Sequence, residues 1–135
     1  MIQAYSSNLT IDANSFFPLN NAIIDKGNNE QLSGPSTIQL NKRGVYLIEV
    51  DGYLTGSAAG TGGVQLYVNN VAQPQAISEF TAASSTVSTF GFKTLLQVSE
   101  NNCPCNCIAS PTNLQFMNTL AGTEAHINVI VTKIS

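Results

Sequence analysis

The chain has 135 residues, a formal net charge of −3 and a sequence pI near 4.8. Charged residues make up only 10% of it, against about 25% in ordinary soluble domains; Ser, Thr, Asn and Gln fill the gap. Five scattered cations (Lys26, Lys42, Arg43, Lys93, Lys133) argue against a nucleic-acid surface, which needs clustered positive charge. The hydrophobic fraction of 43% is ordinary, so residues 1–135 read as one domain with one packed core. No apolar stretch approaches the length of a membrane span. The first seven residues lack the basic start and apolar run of a signal peptide. The expectation is synthesis in the cytosol, with passage outward only by assembly, lysis or an unusual route.

Short alternating runs recur between turn signals, and no segment has helical periodicity, which predicts an all-β sandwich or barrel. Ile38-Gln39-Leu40 follows Gly34-Pro35-Ser36, and Asn41-Lys42-Arg43-Gly44 turns the chain into Val45–Leu54. A loop over 55–63 leads to Val64-Gln65-Leu66-Tyr67-Val68. Asn69-Asn70 then suits a two-residue hairpin, because Asn tolerates positive φ. The return strand is expected to be irregular around Pro74, and a loop over 81–89 overlaps the start of a long strand at Val87–Val98. A cysteine-bearing loop precedes Leu114-Gln115-Phe116-Met117, and the chain closes on Ile127–Ile134. About eight strands fit an antiparallel two-sheet jelly roll.

The strands differ in how many of their faces are apolar. In Val64–Val68, Val64, Leu66 and Val68 share one face while Gln65 and Tyr67 share the other, the pattern of a sheet with one wet face. In the strand from Val45, however, Val45 and Leu47 oppose Tyr46, Ile48 and Val50. In the last strand Ile127, Val129 and Val131 oppose Ile130 and Ile134. Two-sided apolar strands need cover on both sides. No helix is at hand to supply it, so a second copy of the chain is expected there. Val45, Leu47, Ile130 and His126 are the candidate interface residues.

Several segments resemble a known superfamily. Ser36-Thr37-Ile38-Gln39-Leu40, Leu40-Asn41-Lys42-Arg43-Gly44-Val45-Tyr46, Gln65-Leu66-Tyr67-Val68, Val71–Ala76, Thr94–Val98 and Asn128–Ile134 are similar to the trimeric jelly rolls of tumour necrosis factor and complement globular heads. Within that superfamily the resemblance is to small structural proteins of phages infecting Firmicutes and gut bacteria. It implies a homotrimer on the virion surface, a head fibre, capsid decoration or fibre knob. Its partners would be other virion proteins and a host-surface glycan. A bacterial surface or spore-coat lectin-like head is the alternative that the same resemblance allows. The relatives carry a denser run of cysteines where this chain interposes Pro104 and Asn106.

Candidate chemistry is sparse. Cys103, Cys105 and Cys107 fall on one side of an extended segment, but zinc sites want two or more residues between paired ligands, and a fourth ligand. Three readings stay open: a metal shared between copies, intermolecular disulfides, or inert thiols. His126 is the only histidine, and no nucleophile-elbow sequence accompanies it. Glu49 and Asp51 share a strand face and could form a carboxylate pair; a strand end leaving for solvent is the plainer account. Gly60-Thr61-Gly62-Gly63 lacks the Lys-Ser/Thr ending of a phosphate loop. Tyr53 and Tyr67 are the candidates for stacking on a sugar ring. The expectation is therefore a binding or structural protein, not an enzyme, with no catalytic residue and no cofactor.

Overall fold

The computed structural model describes residues 1–25, 29–99 and 112–135. Strands β1 (Ile2–Ile11), β2 (Ser15–Phe16), β3 (Asn21–Asp25), β4 (Glu30–Ser33), β5 (Thr37–Leu40) and β6 (Gly44–Gly56) come first. They are followed by β7 (Gly60–Val68), β8 (Val71–Ala82), β9 (Val87–Val98), β10 (Thr112–Asn118) and β11 (Gly122–Lys133). They form two antiparallel sheets. The front sheet runs β3-β1-β11-β6-β9; the back sheet runs β4-β5-β10-β7-β8, with β2 added beside β10. The described residues contain no helix, and the all-β jelly-roll expectation holds.

The core lies between the sheets and follows from period-two alternation. Ile2, Ala4, Tyr46, Ile48, Leu54, Ile127, Val129 and Val131 reach it from the front sheet, and Ile38, Leu40, Val64, Leu66, Leu114 and Phe116 from the back. Each larger one contributes roughly 1.5–3 kcal/mol by leaving water. Phe90 on β9 closes one side, with Phe17 tilted against it at 5.7 Å and Phe80 stacked on it at 6.3 Å. On that side the Gly91 amide donates to Ser78 Oγ (3.1 Å), linking β9 to β8 across the sheets.

Two polar clamps tie the sheets at opposite ends. The Glu30 carboxylate, buried on β4, accepts the Lys133 amide (3.1 Å) and the Met1 amino group (2.9 Å), both from the front sheet. At the other end the buried Asn118 amide donates to the carbonyls of Asp12 (3.4 Å) and Leu120. Tyr46 lies near the first clamp, and its hydroxyl donates to the Lys42 carbonyl (2.6 Å). Burial, and secondarily the charge of Glu30, push its phenol above the ordinary value of 10.0.

Local chemistry explains the turns. Asn69 and Asn70 take φ of 49° and 66°, so Val68 pairs directly with Val71 across a two-residue hairpin. β8 is irregular where expected. Gln65 pairs with Ile77 but Tyr67 with Ala72, so the chain bulges around Pro74, which has no amide hydrogen to donate. The two expected loops are shorter than the sequence suggested. Strands cover 55–56, 60–63, 81–82 and 87–89, leaving turns at 57–59 and 83–86. The strand count rises to eleven among the described residues because β1 to β4 occupy a region where no strand was expected.

Two outcomes test this packing. A Cβ on Gly52 would collide with the His126 carbonyl and come within 2.6 Å of the Phe90 ring, whereas at Gly60 the nearest atom is 3.5 Å away. Gly52→Ala should therefore cost about 1–3 kcal/mol in denaturant unfolding, and Gly60→Ala should be close to neutral. Equal effects would mean that Phe90 does not pack over Gly52. The raised Tyr46 pKa favours the folded state fully below pH 10.0 and loses that contribution as pH rises through the folded-state value. The alkaline fall in stability should be shallower in Tyr46→Phe, measured by unfolding at stepped pH.

Candidate functional site

The outward face of the front sheet gathers most of the residues that the sequence singled out. Cross-strand register sets the rows: Thr132–Leu47–Leu95, then Ile24–Gln3–Ile130–Glu49–Lys93, then Asn21–Tyr5–Asn128–Asp51–Gly91, then His126–Tyr53–Thr89. Ile134, whose amide donates to the Val45 carbonyl (2.8 Å), completes the first end. That end is apolar, with Val45, Leu47 and Ile130 half-buried and Leu95 and Ile134 at 59% and 53% exposure.

The middle is polar. Gln3 Nε2 donates to Asn128 Oδ1 (3.1 Å), and Asn128 Nδ2 donates to Asp51 Oδ1 (3.1 Å), a ladder across three strands. Beside it Glu49 faces Lys93 in register, opposite charges at a spacing that stabilises a sheet pair. Glu49, Asp51, Lys93 and Asn128 line a shallow depression of about 520 Å³, together with Ile130. Glu49 and Asp51 thus sit mid-strand on β6. The expectation that they mark a strand end is corrected, because pairing with β9 and β11 continues to Thr55.

The far end is aromatic. His126 lies within β11, four residues past its start, and its ring stacks on Tyr53 with centroids 5.3 Å apart and planes 12° from parallel. The two residues were assigned different roles from sequence; the structure makes them one surface unit. Tyr67 is separated from them, on the outward face of the back sheet, where it meets Phe16 edge-on at 5.5 Å. Tyr53 and Tyr67 therefore cannot belong to one ligand site on a single chain.

Cys103, Cys105 and Cys107 lie outside the described residues. Among the described residues no three His, Cys, Asp or Glu side chains group as metal ligands. Leu95 and Val87 (59% each) were missed as surface residues of this face. Their odd-numbered parity with Lys93 and Gln97 is the signal that identifies them.

No family model and no curated protein sequence matches the chain. Solved structures do. The globular domain of zebrafish complement 1qA protein is similar at 10% identity, over 96% of this chain and 94% of that one, with a TM-score of 0.66. Eiger TNF from S. frugiperda is similar at 12% identity, over 99% and 92%, with a TM-score of 0.67. PRD1 vertex protein P5 is similar at 18% identity, over 99% and 96%, with a TM-score of 0.65. Near-complete coverage at such low identity is a likeness of fold. The chain has the two-sheet jelly roll shared by complement globular heads and tumour necrosis factors.

Proposed function

We propose that the chain is a non-enzymatic structural subunit of a phage virion. It would be a homotrimeric head fibre, capsid decoration or fibre knob that meets other virion proteins and binds host-surface glycans. The observation that carries this reading is the outward face of the front sheet. Apolar at one end, laddered in the middle and aromatic at the other, it is laid out as a contact face. Three copies of a jelly roll packed through it would bury Leu47, Leu95, Ile130 and Ile134 together and leave the back sheets facing outward. A threefold assembly is what the sequence resemblance implies. The virion location draws support from PRD1 vertex protein P5, a phage protein that shares the fold along nearly the whole chain.

The non-enzymatic reading rests on how the titratable groups are engaged. The imidazole of His126 is stacked on Tyr53, and among the described residues no hydroxyl or carboxylate is hydrogen-bonded to it. Glu49 and Asp51 face a cation and an amide. Adhesion needs only presentation. Weak sites on a rigid trimer multiply by avidity where receptors are dense.

Light scattering should give a mass of three chains at micromolar concentration; a stable monomer contradicts the proposal. Leu47→Asp, Leu95→Asp and Ile130→Asp should each break the trimer, because each brings an unpaired charge into a covered face at a cost of roughly 3–5 kcal/mol. Gln75→Asp, on the opposite sheet, should leave the mass unchanged. The native assembly should bind host cell walls far more tightly than the Leu47→Asp monomer, and product analysis should find no sugar released. Released fragments would make the protein an enzyme.

A further inference from the structure

The outward face of the back sheet has a chemistry unlike that of the front. Strands β4, β5, β7 and β10 carry a single charged residue, the buried Glu30, and the edge strand β8 adds one exposed carboxylate, Glu79. The exposed surface is built from amides. Gln31 pairs with Gln39 in register, Gln39 with Asn113, and Gln115 with Tyr67.

Three glutamines of this face each use one of their two amide hydrogens within the protein. Gln31 donates to Gln39 Oε1 (3.0 Å), Gln65 to the Gln73 carbonyl (3.1 Å) and Gln115 to Ser36 Oγ (3.5 Å). The side-chain carbonyl oxygens of Gln31, Gln65 and Gln115 have no partner among the described residues, nor does the Tyr67 hydroxyl. The result is an amide surface that offers free carbonyl acceptors and free N–H donors side by side. Beside them Met117 lies in register between Phe16 and Gln65, next to the edge-on Phe16–Tyr67 pair in sheet order.

The geometry points to a binding site for a neutral carbohydrate on this face, with Tyr67 and Phe16 as the ring platform and Gln65 and Gln115 as hydroxyl acceptors. This deepens the proposal that the protein binds glycans, and rests on it. A sugar ring matches this face, with uncharged hydroxyls that both donate and accept, along with an apolar C–H surface for the aromatic pair. An anionic ligand would find no cation on these strands among the described residues and would be repelled by the exposed Glu79 on β8. The site lies on the sheet opposite the proposed trimer contacts, so assembly leaves it open and repeats it three times. One copy is shallow, and its dissociation constant should be on the order of 1 mM.

The test titrates the native protein with maltohexaose and chitohexaose, and with polygalacturonate as the anionic comparison, while side-chain resonances are followed by NMR. The neutral oligosaccharides should shift Tyr67 and Gln115 and leave Tyr53 unmoved. Gln115→Leu keeps the packing volume and should weaken binding about fivefold; Tyr67→Ala should weaken it tenfold or more, with Tyr67→Phe intermediate if the alanine variant loses its fold. Stronger binding of polygalacturonate overturns the neutral class. Shifts confined to other surfaces, or native affinity in Gln115→Leu, overturn the location while leaving glycan binding in place. No binding of either neutral oligosaccharide overturns the site, and cell-wall binding by the native protein then decides separately whether the broader reading survives.

Discussion

A β-sheet has two faces, and the front sheet of this chain places apolar side chains on both. Its inner face fills the core with Ile48, Ile127, Val129 and Val131, while its outer face carries Leu47, Leu95, Ile130 and Ile134. The back sheet solves the same problem differently, with one buried face and one coated in amides. No described helix lies over either sheet. The asymmetry between the two outer faces is therefore the constraint on which the functional account depends. One face calls for cover by protein, and the other is built to stay wet.

The middle of the front face qualifies that picture usefully. A wholly apolar face would promote indiscriminate association, whereas Gln3, Asn128 and Asp51 form a directional ladder between the apolar and aromatic ends. Polar groups that must be matched on covering give specificity more than affinity. The clamps at Glu30 and Asn118 act one level lower. They fix the two sheets against each other, so that the rows on the outer face keep their register relative to the core.

Strand parity made much of this legible from sequence. Val45–Val50 and Ile127–Ile134 alternate strictly enough for a residue's number to give its face, and Val45, Leu47, Ile130 and His126 all lie on the outward face of the front sheet. The Asn69-Asn70 hairpin was readable because few other residues adopt positive φ in pairs. The first thirty-three residues were not readable. The inward positions of β1 include Ala4 and Ser6, too small or polar to mark a buried face, and β1 bulges near Asn8, which breaks the alternation. The amide surface of the back sheet was invisible for another reason. The Gln31–Gln39 hairpin pair, Gln65 and Gln115 lie far apart along the chain, and only sheet order and register bring them together. The stack of His126 on Tyr53 likewise exists only through the pairing of β11 with β6.

Hydroxyl-radical footprinting of the native protein in solution tests the division between a covered and an open face most directly. The account predicts that Tyr53, Leu95 and Ile134 are protected well below the labelling expected from their exposure in the single chain, while Tyr67 and Met117 label at the rate their exposure implies. Labelling of Leu95 and Tyr53 at the full single-chain rate, under conditions where the protein is native, would contradict it.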